Sequence, residues 1–467
     1  MAGFTGTEAP GQAKPSIGRN AGALAQFSWA MFDGSRAPYN TLINIFVFSA
    51  YFTTVVIGDS VRGQVVWSYI TSAAALLVAV GAPILGAIAD VGGRRKPWIA
   101  VCVILSIPCM AMTWFAVPGM TAGLPLIIAA LIVASACFEY GAVFENAMLP
   151  NIAPPARIGF ISGLGLALGN ISTIILFLFF LFAWSWNAHP LFGLDAAKHE
   201  PERAVGIVAA IWLSIFCLPL FFFTPDSKGT GLPVGKAVSM GLANFFGTIK
   251  RVGKYSNIVM FLIARMSFNE GFIILILFTG VFAAGILHWT PTMLIVEGLI
   301  NSVCAAIAGF FGGWLDSRMG SKRATMAFVA GSLVLNFLLA TISPHSILFM
   351  DLPSWATAKD GTIFGTLPDK VFLITQASVA FVVTGALATA RAMMAKISPP
   401  NMLNEFFGLF AFSGTATSFV GPLAIGIMTS IFHSQRAGVT VGVLFFIVGF
   451  SLMFLVKEEQ ATASEHS

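Results

Sequence analysis

Charge is what this chain has least of. Charged residues make up 10% of its 467 positions and hydrophobic residues 57%, where soluble domains carry roughly 25% charge. A water-soluble fold so apolar could not cover its own surface, which excludes that class. Cysteine is scarce too. The five (Cys102, Cys109, Cys137, Cys217 and Cys304) all lie in apolar stretches, none in a CxxC or Cys/His spacing. That excludes a disulfide framework and a thiolate zinc site and leaves packing thiols. No two of the six histidines share ligand spacing within an apolar stretch, so no metal is expected. A GxxxxGK[ST] loop is missing, which argues against ATP drive. No nucleophile or metal set clusters near an interface, so neither an enzyme nor a cofactor is expected. Residues 1–22 lack the apolar core of a signal peptide, so the first apolar stretch is expected to serve as the targeting signal.

Long hydrophobic runs are what is abundant. Twelve can be marked: 27–52, 64–89, 98–117, 124–149, 160–184, 204–223, 258–287, 292–315, 324–342, 371–394, 406–431 and 438–456. Each reaches the roughly 20 residues that cross a bilayer, so the expected fold is an all-α membrane protein of twelve spans. Lys and Arg alternate between loops. With both termini placed in the cytoplasm, 17 of the 25 fall on that side and six on the other, while Arg36 and Arg265 lie inside spans. The positive-inside rule then sets the orientation. The basic net charge of +5 is thereby a topology signal that needs no nucleic-acid partner. If the source is bacterial, the membrane is the inner one.

The segment 224–257 carries Gly, Pro and Lys with little apolar pattern and divides the spans six and six. The expected organisation is a tail (1–26), a first bundle (27–223), a linker (224–257), a second bundle (258–456) and a second tail (457–467). An internal repeat supports the division. After span 2 the chain places Gly86, Asp90, Gly93, Arg94, Arg95 and Lys96; after span 8 it places Gly312, Asp316, Arg318, Gly320, Lys322 and Arg323. A second echo sets Pro154, Pro155, Gly159, Ser162 and Gly163 against Pro399, Pro400, Gly408, Ser413 and Gly414. Echoes six spans apart are what two homologous halves require.

The loop from Gly86 to Lys96 resembles the signature loop of the major facilitator superfamily. Three segments resemble its unknown-major-facilitator branch, which also includes the fungal vacuolar amino-acid effluxers. They are Phe27 to Asp33 with Arg36 to Tyr39, Ala82 to Gly86 through Trp98, and Ala264 to Met266 with Glu270, Gly271 and Gly280 to Gly285. The chain departs from the pattern twice. One extra residue separates Asp316 from Gly320, and Glu270 stands where the branch more often has Asp. The resemblance implies two pseudo-symmetric six-helix bundles and a secondary transporter whose cavity opens alternately to each side. It implies gating roles for Gly86, Asp90, Gly93, Arg94, Arg95, Asp316, Arg318, Gly320, Lys322 and Arg323.

Ionisable side chains at membrane depth usually face a cavity or a partner. Asp33, Arg36, Asn40 and Asn44 form a polar stripe on span 1, and Pro38 cannot donate to the carbonyl of Gly34, so a kink is expected there. Span 7 carries Arg265, Asn269 and Glu270, with Thr279 continuing the face. Arg265 could fork onto a substrate carboxylate. The competing readings are an Asp33–Arg36 pair that only orders packing, and a structural salt bridge from Arg265 to a carboxylate of the other half. Span 8 adds Glu297 and Asn301; Glu297 is near the outer end, where hydration would explain it. In span 4, Glu139 and Asn146 share a face, and Glu145 is expected to pair with the Arg94–Arg95 loop as an inner latch. The candidate solute-binding set is Asp33, Arg36, Asn40, Asn44, Arg265, Asn269, Glu270 and Asn301. The candidate proton carriers are Asp33, Glu139, Glu270 and Glu297. Gly165 and Gly169 form a small-residue contact on span 5. The expected function is proton-coupled transport of a small polar or zwitterionic, amino-acid-like solute by a monomer. Organic anions, sugars, short peptides and a non-transporting assembly scaffold remain as alternatives.

Overall fold

The computed structural model describes residues 21–154, 157–185, 191–227, 229, 234–399 and 402–458, and within them not the side chains of residues 90–92, 185, 234, 237, 244, 245 and 404. The side chain of Asp90, the first 20 residues and the end of the C-terminal tail thus lie outside the described residues. Among these, twelve helical segments are long and apolar enough to cross a membrane. The first six are Ala23–Val56, Ser60–Ala89, Lys96–Phe115, Leu124–Ile152, Ile158–Trp184 and Glu200–Phe223. The second six are Ser256–Leu277, Pro291–Met319, Ser321–Thr341, Leu367–Ile397, Glu405–Phe432 and Gln435–Leu455. They are numbered here as spans 1 to 12. Large apolar side chains such as Ile104, Leu166, Phe310 and Leu444 stand exposed on the outer surface, as a protein bathed in lipid allows.

Helix pairing repeats between the halves. Spans 1–5, 1–6, 2–4, 3–4 and 3–6 pack in the first half; spans 7–11, 7–12, 8–10, 9–10 and 9–12 pack in the second. Each half also ends its second span in the same way, on a glycine with positive φ: Gly93 at 83° and Gly320 at 85°. The extra residue of the second loop is absorbed by the helix, which runs to Met319. An acid beyond each half's sixth span then caps its third. Asp226 accepts the backbone N–H groups of Arg95 (3.0 Å) and Lys96 (3.2 Å). Glu458 accepts those of Ser321 (2.7 Å) and Lys322 (3.2 Å). Both lysines turn Nζ back onto a carbonyl of the sixth span, Phe221 at 2.9 Å and Phe454 at 3.1 Å. Carboxylates suit helix N-termini because the amides there have no intrahelical partner.

Several spans are irregular. In span 1 the α-helix ends at Pro38, and wide turns follow, with the Val47 N–H donating to Leu42 O five residues back. The carbonyl of Gly34, which Pro38 cannot use, accepts from Trp212 Nε1 of span 6 at 3.0 Å. Among the described residues, three runs expected to be continuous are broken: span 6 at Cys217, and two others. Span 7 stops at Leu277 and resumes as Thr279–Ile286; span 11 divides into Leu403–Thr415 and Val420–Phe432. Hydropathy stays high through the break in span 7, so no composition signal marks it; the break in span 11 falls in a run of small and polar residues, Ser413 to Ser418. The linker also differs from expectation, for it holds a helix, Val234–Val252. Val238, Gly241 and Val252 turn inward, an apolar stripe that the Gly and Lys content conceals. Gly241 sits on Ala87 of span 2, and Arg251 pairs with Glu405 of span 11 at 2.9 Å.

The halves meet along one end of the molecule, where spans 1 and 2 join and spans 11 and 12 join. Gln64 Nε2 donates to Thr429 Oγ1 (2.8 Å) and to the carbonyl of Gln435 (3.0 Å). Ser72 Oγ donates to Phe419 O at 2.9 Å. Gly280 lies against the backbone of Ile45 and Phe46, and Gly298 against the ring of Phe177. At Gly280 a methyl group would strike the Ile45 carbonyl, an atom that cannot swing away. Gly280→Ala should therefore cost about 1–3 kcal/mol through overpacking, read as a lower melting temperature in detergent. An unchanged melting temperature would mean that this seam has slack.

Candidate functional site

Two cavities lie between the halves. The larger, about 510 Å³, opens at the end opposite the seam, between spans 2, 4 and 11 beneath the linker helix; Gly86, Glu139, Asn146 and Glu405 are in its wall. The smaller, about 240 Å³, lies deeper, among spans 1, 5, 7, 8 and 10, and includes Thr41, Thr279, Asn301 and Gln376. Both cavities take residues from each half.

The stripe on span 1 is internally bonded. Arg36 holds Asp33 Oδ1 through Nη2 at 2.6 Å and Nε at 3.1 Å. It donates to Phe138 O at 3.3 Å and stacks 4.7 Å above the Phe138 ring. Glu145 Oε2 lies 3.3 Å from Arg36 Nε. Asn44 Nδ2 donates to Asn40 Oδ1 at 3.3 Å. Arg36 borders a space of about 20 Å³ among spans 1, 3, 4 and 6 and is not in the wall of the larger cavity. Asp33 rests on Gly165 of span 5, and Gly169 faces Ala37, so the small residues there admit a charged group as well as a close helix contact.

The expected latch between Glu145 and Arg94–Arg95 is corrected. Glu145 is 1% exposed and turns inward to Arg36, while Trp29 Nε1 donates to its backbone carbonyl at 2.8 Å. Arg95 instead donates from Nη1 to Ser227 Oγ at 2.6 Å, and the Arg94 side chain lies near Gly229. In the second loop Asp316 accepts from Lys396 Nζ at 3.2 Å and from Ser321 Oγ, and Arg318 stacks 5.1 Å over Trp314. Arg323 borders a surface pocket with Glu458. Each of these bonds lies within a half.

Span 7 turns its polar residues onto the broken span 11. Arg265 Nη1 donates to Phe410 O (2.7 Å) and Ser413 Oγ (2.6 Å), with its guanidinium 3.8 Å over the Phe410 ring. Asn269 Nδ2 donates to Gly414 O at 3.1 Å. Glu270 Oε2 accepts the Gly421 N–H at 2.8 Å. Cationic and amide donors thus meet the carbonyl end of one helix piece, and a carboxyl meets the amide end of the next, each with the helix dipole. The salt bridge expected from Arg265 to the other half is corrected: among the described residues its polar contacts are to span 11. Glu297 is corrected too. It is wholly buried, and its Oε1 accepts from Thr279 (3.0 Å) and Asn301 (3.4 Å); no hydration at an outer end explains it.

Sequence reasoning missed Gln376 of span 10, 2% exposed and on the smaller cavity. It weighed intramembrane residues by ionisable charge, and a neutral amide in an apolar span carries the same signal in weaker form. It also missed Asp226 and Glu458, whose role depends on where spans 6 and 12 end.

Two halves of six spans with cavities between them and a seam at one end are the architecture of major facilitator transporters. Solved structures agree in fold. A D-xylose-proton symporter superposes with a TM-score of 0.66 at 13% identity, covering 94% of this chain and 99% of that one. A bacterial homologue of the human lysosomal transporter Spinster, inward-facing and occupied, gives 0.63 at 13% identity, over 94% and 98%. The chain belongs to the "Vacuole effluxer Atg22 like" family, whose model matches residues 53–159 and 156–466. It is similar to the uncharacterized MFS-type transporter YxiO of Bacillus subtilis, 23% identical over 93% of this chain and 95% of that protein. It is also similar to autophagy-related protein 22 of Cryptococcus neoformans, 19% identical over 58% of this chain. That match spans about half the fungal protein's length, 49%. The protein is an integral, multi-pass membrane transporter of the major facilitator type.

Arg36 is the one cation bonded to both Asp33 and Glu145. Arg36→Met should destabilise the protein by about 3–5 kcal/mol, because it leaves carboxyls unpaired at depth. Glu145→Gln should cost much less, since it leaves the Asp33–Arg36 pair whole. Melting curves of the two variants in one detergent check the order, and a reversed order would mean that Glu145 anchors Arg36.

Proposed function

We propose that this protein is a secondary transporter that moves a small polar solute by alternating access, with proton movement linked to the Arg36 cluster. One observation carries the reading: the halves are sealed by side-chain and backbone contacts at one end and parted by the larger cavity at the other. That is one end state of a two-state machine whose other state opens the seam. With both termini cytoplasmic, as the loop charges imply, the cavity faces the cytoplasm and the seam faces out. The helical bundles at 27–223 and 258–456 are then the moving bodies, and the linker helix spans the cavity mouth.

Glu139 is in the cavity wall and within electrostatic reach of Arg36, which also holds Asp33 and Glu145. One guanidinium cannot balance three carboxyls in an apolar medium, so charge balance there involves bound protons shared by the cluster. A proton arriving at Glu139 through the cavity changes the field on Arg36 and so its hold on spans 1 and 4. Glu270 and Asn269 are assigned to the integrity of span 11. Arg265 has its donors on span 11 as well, which weakens the reading of it as a carboxylate receptor and with it the amino-acid-like substrate.

Two measurements test the reading. In a cysteine-free background, Gln64→Cys with Thr429→Cys should cross-link across the seam and abolish solute uptake into proteoliposomes, with recovery on reduction; uptake through the cross-linked protein would point to a channel. Glu139→Gln should keep solute exchange at equal concentrations and lose accumulation driven by a pH gradient. Accumulation that ignores the gradient in the unmodified protein would sink the proton linkage.

A further inference from the structure

The smaller cavity differs from the rest of the span interior in the kind of polar group it offers. Its wall carries Thr41, Thr173, Asn301, Ser302, Gln376 and Thr384, all neutral. Among the described residues, neither amide atom of Gln376 has a hydrogen-bond partner, and Asn301 Oδ1 has none either. Gln376 is 2% exposed, so its amide is held at depth with both a donor and an acceptor free. A buried amide left unpaired costs stability, and Gln376 borders the cavity, so a turn of its side chain towards a bound solute would pair the amide. Among the described residues no cation is in the cavity wall: Arg36 is bonded to Asp33 and Glu145, Arg265 to span 11, and Arg391 lies towards the far end of span 10. A carboxylate entering this cavity would meet no cation from its wall and would keep its charge in a low-dielectric site. Hydroxyl and amide groups, by contrast, both donate and accept and match the free valences. Ile45, Leu275, Val379 and Val383 supply apolar wall for the carbon skeleton. The volume, about 240 Å³, is below the roughly 300–1,000 Å³ of sites that take drug-sized ligands.

We infer that this cavity binds an uncharged solute of metabolite size that carries several hydroxyl or amide groups, with Gln376 and Asn301 as its principal polar contacts. The inference rests on the transporter reading and narrows its substrate to a class other than zwitterions. Glu297 bonds Asn301 from behind and so sets which way its amide faces. It is a positioning residue.

The test uses the full-length protein in detergent, with thermal stability and equilibrium binding measured against two sets of probes. The neutral set is D-xylose, mannitol, myo-inositol and uridine. The charged set is leucine, glutamate, lysine and tyramine. At least one neutral probe should raise the melting temperature and no charged probe should. Gln376→Leu should melt higher than the parent without ligand, because it removes an unpaired amide, and should bind the neutral probe at least about tenfold more weakly. The class is overturned if a charged probe stabilises the parent and not Gln376→Leu, if no neutral probe stabilises the parent, or if the neutral response survives in Gln376→Leu. Uptake into proteoliposomes separates the two levels. Uptake of a charged probe without any neutral one overturns the substrate class and leaves the transporter standing. No uptake of any probe counts against both.

Discussion

A helix that breaks inside a bilayer must find partners for the backbone groups it frees, because lipid offers none. Much of this molecule's interior polarity answers that demand. Gly34 O, orphaned by Pro38, takes the indole N–H of Trp212. The pieces of span 11 are joined by Arg265 and Asn269 on the carbonyl side and Glu270 on the amide side. These residues belong to span 7, which is itself interrupted at Phe278. Two irregular helices thus brace each other. Straight helices would need no such residues, and the halves would have fewer places to bend.

The spans were legible because a bilayer imposes a length and a composition that nothing else in the chain imitates. All twelve runs read from the sequence correspond to helices in the structure. The repeated loop ending in Gly93 and Gly320 was legible for a related reason: a positive φ favours glycine, and charge of one sign gathers in loops on one side. The break at Phe278 was not, since the chain there is as apolar as its surroundings; the one at 416–419 does carry a signal, the small and polar run Ser413 to Ser418, which an eye kept on span length passes over. The partners of buried charges were legible only within a helix. Asp33 with Arg36 follows from three-residue spacing. Arg36 with Glu145, or Arg265 with Ser413, depends on how spans 1 and 4, or 7 and 11, rotate against each other, and no periodicity records that.

The acid caps extend the repeat beyond what the letters show. Asp226 is in the linker and Glu458 in the C-terminal tail, with no similar residues around them, yet each closes the third span of its half onto the sixth. The geometry of the repeat has outlasted its spelling. The same capping ties the linker's first residues to the first half.

That helix has unequal attachments. On the first half it is seated through Gly241 against Ala87, a contact with no side-chain slack. On the second half it is held by Arg251 and Glu405, which are 55% and 37% exposed, a kind of pair worth at most about 1 kcal/mol and weakened by salt. If the halves part further at the mouth as proposed, the hydrogen-bonded tie that has to break there among the described residues is this screened pair. Resistance to opening at the mouth is therefore small and tunable by ionic strength. Resistance at the far seam comes from packed backbone and buried hydrogen bonds, and ions in solution scarcely reach it. Of the two ends of the molecule, one is held by a weak catch and the other by a strong one.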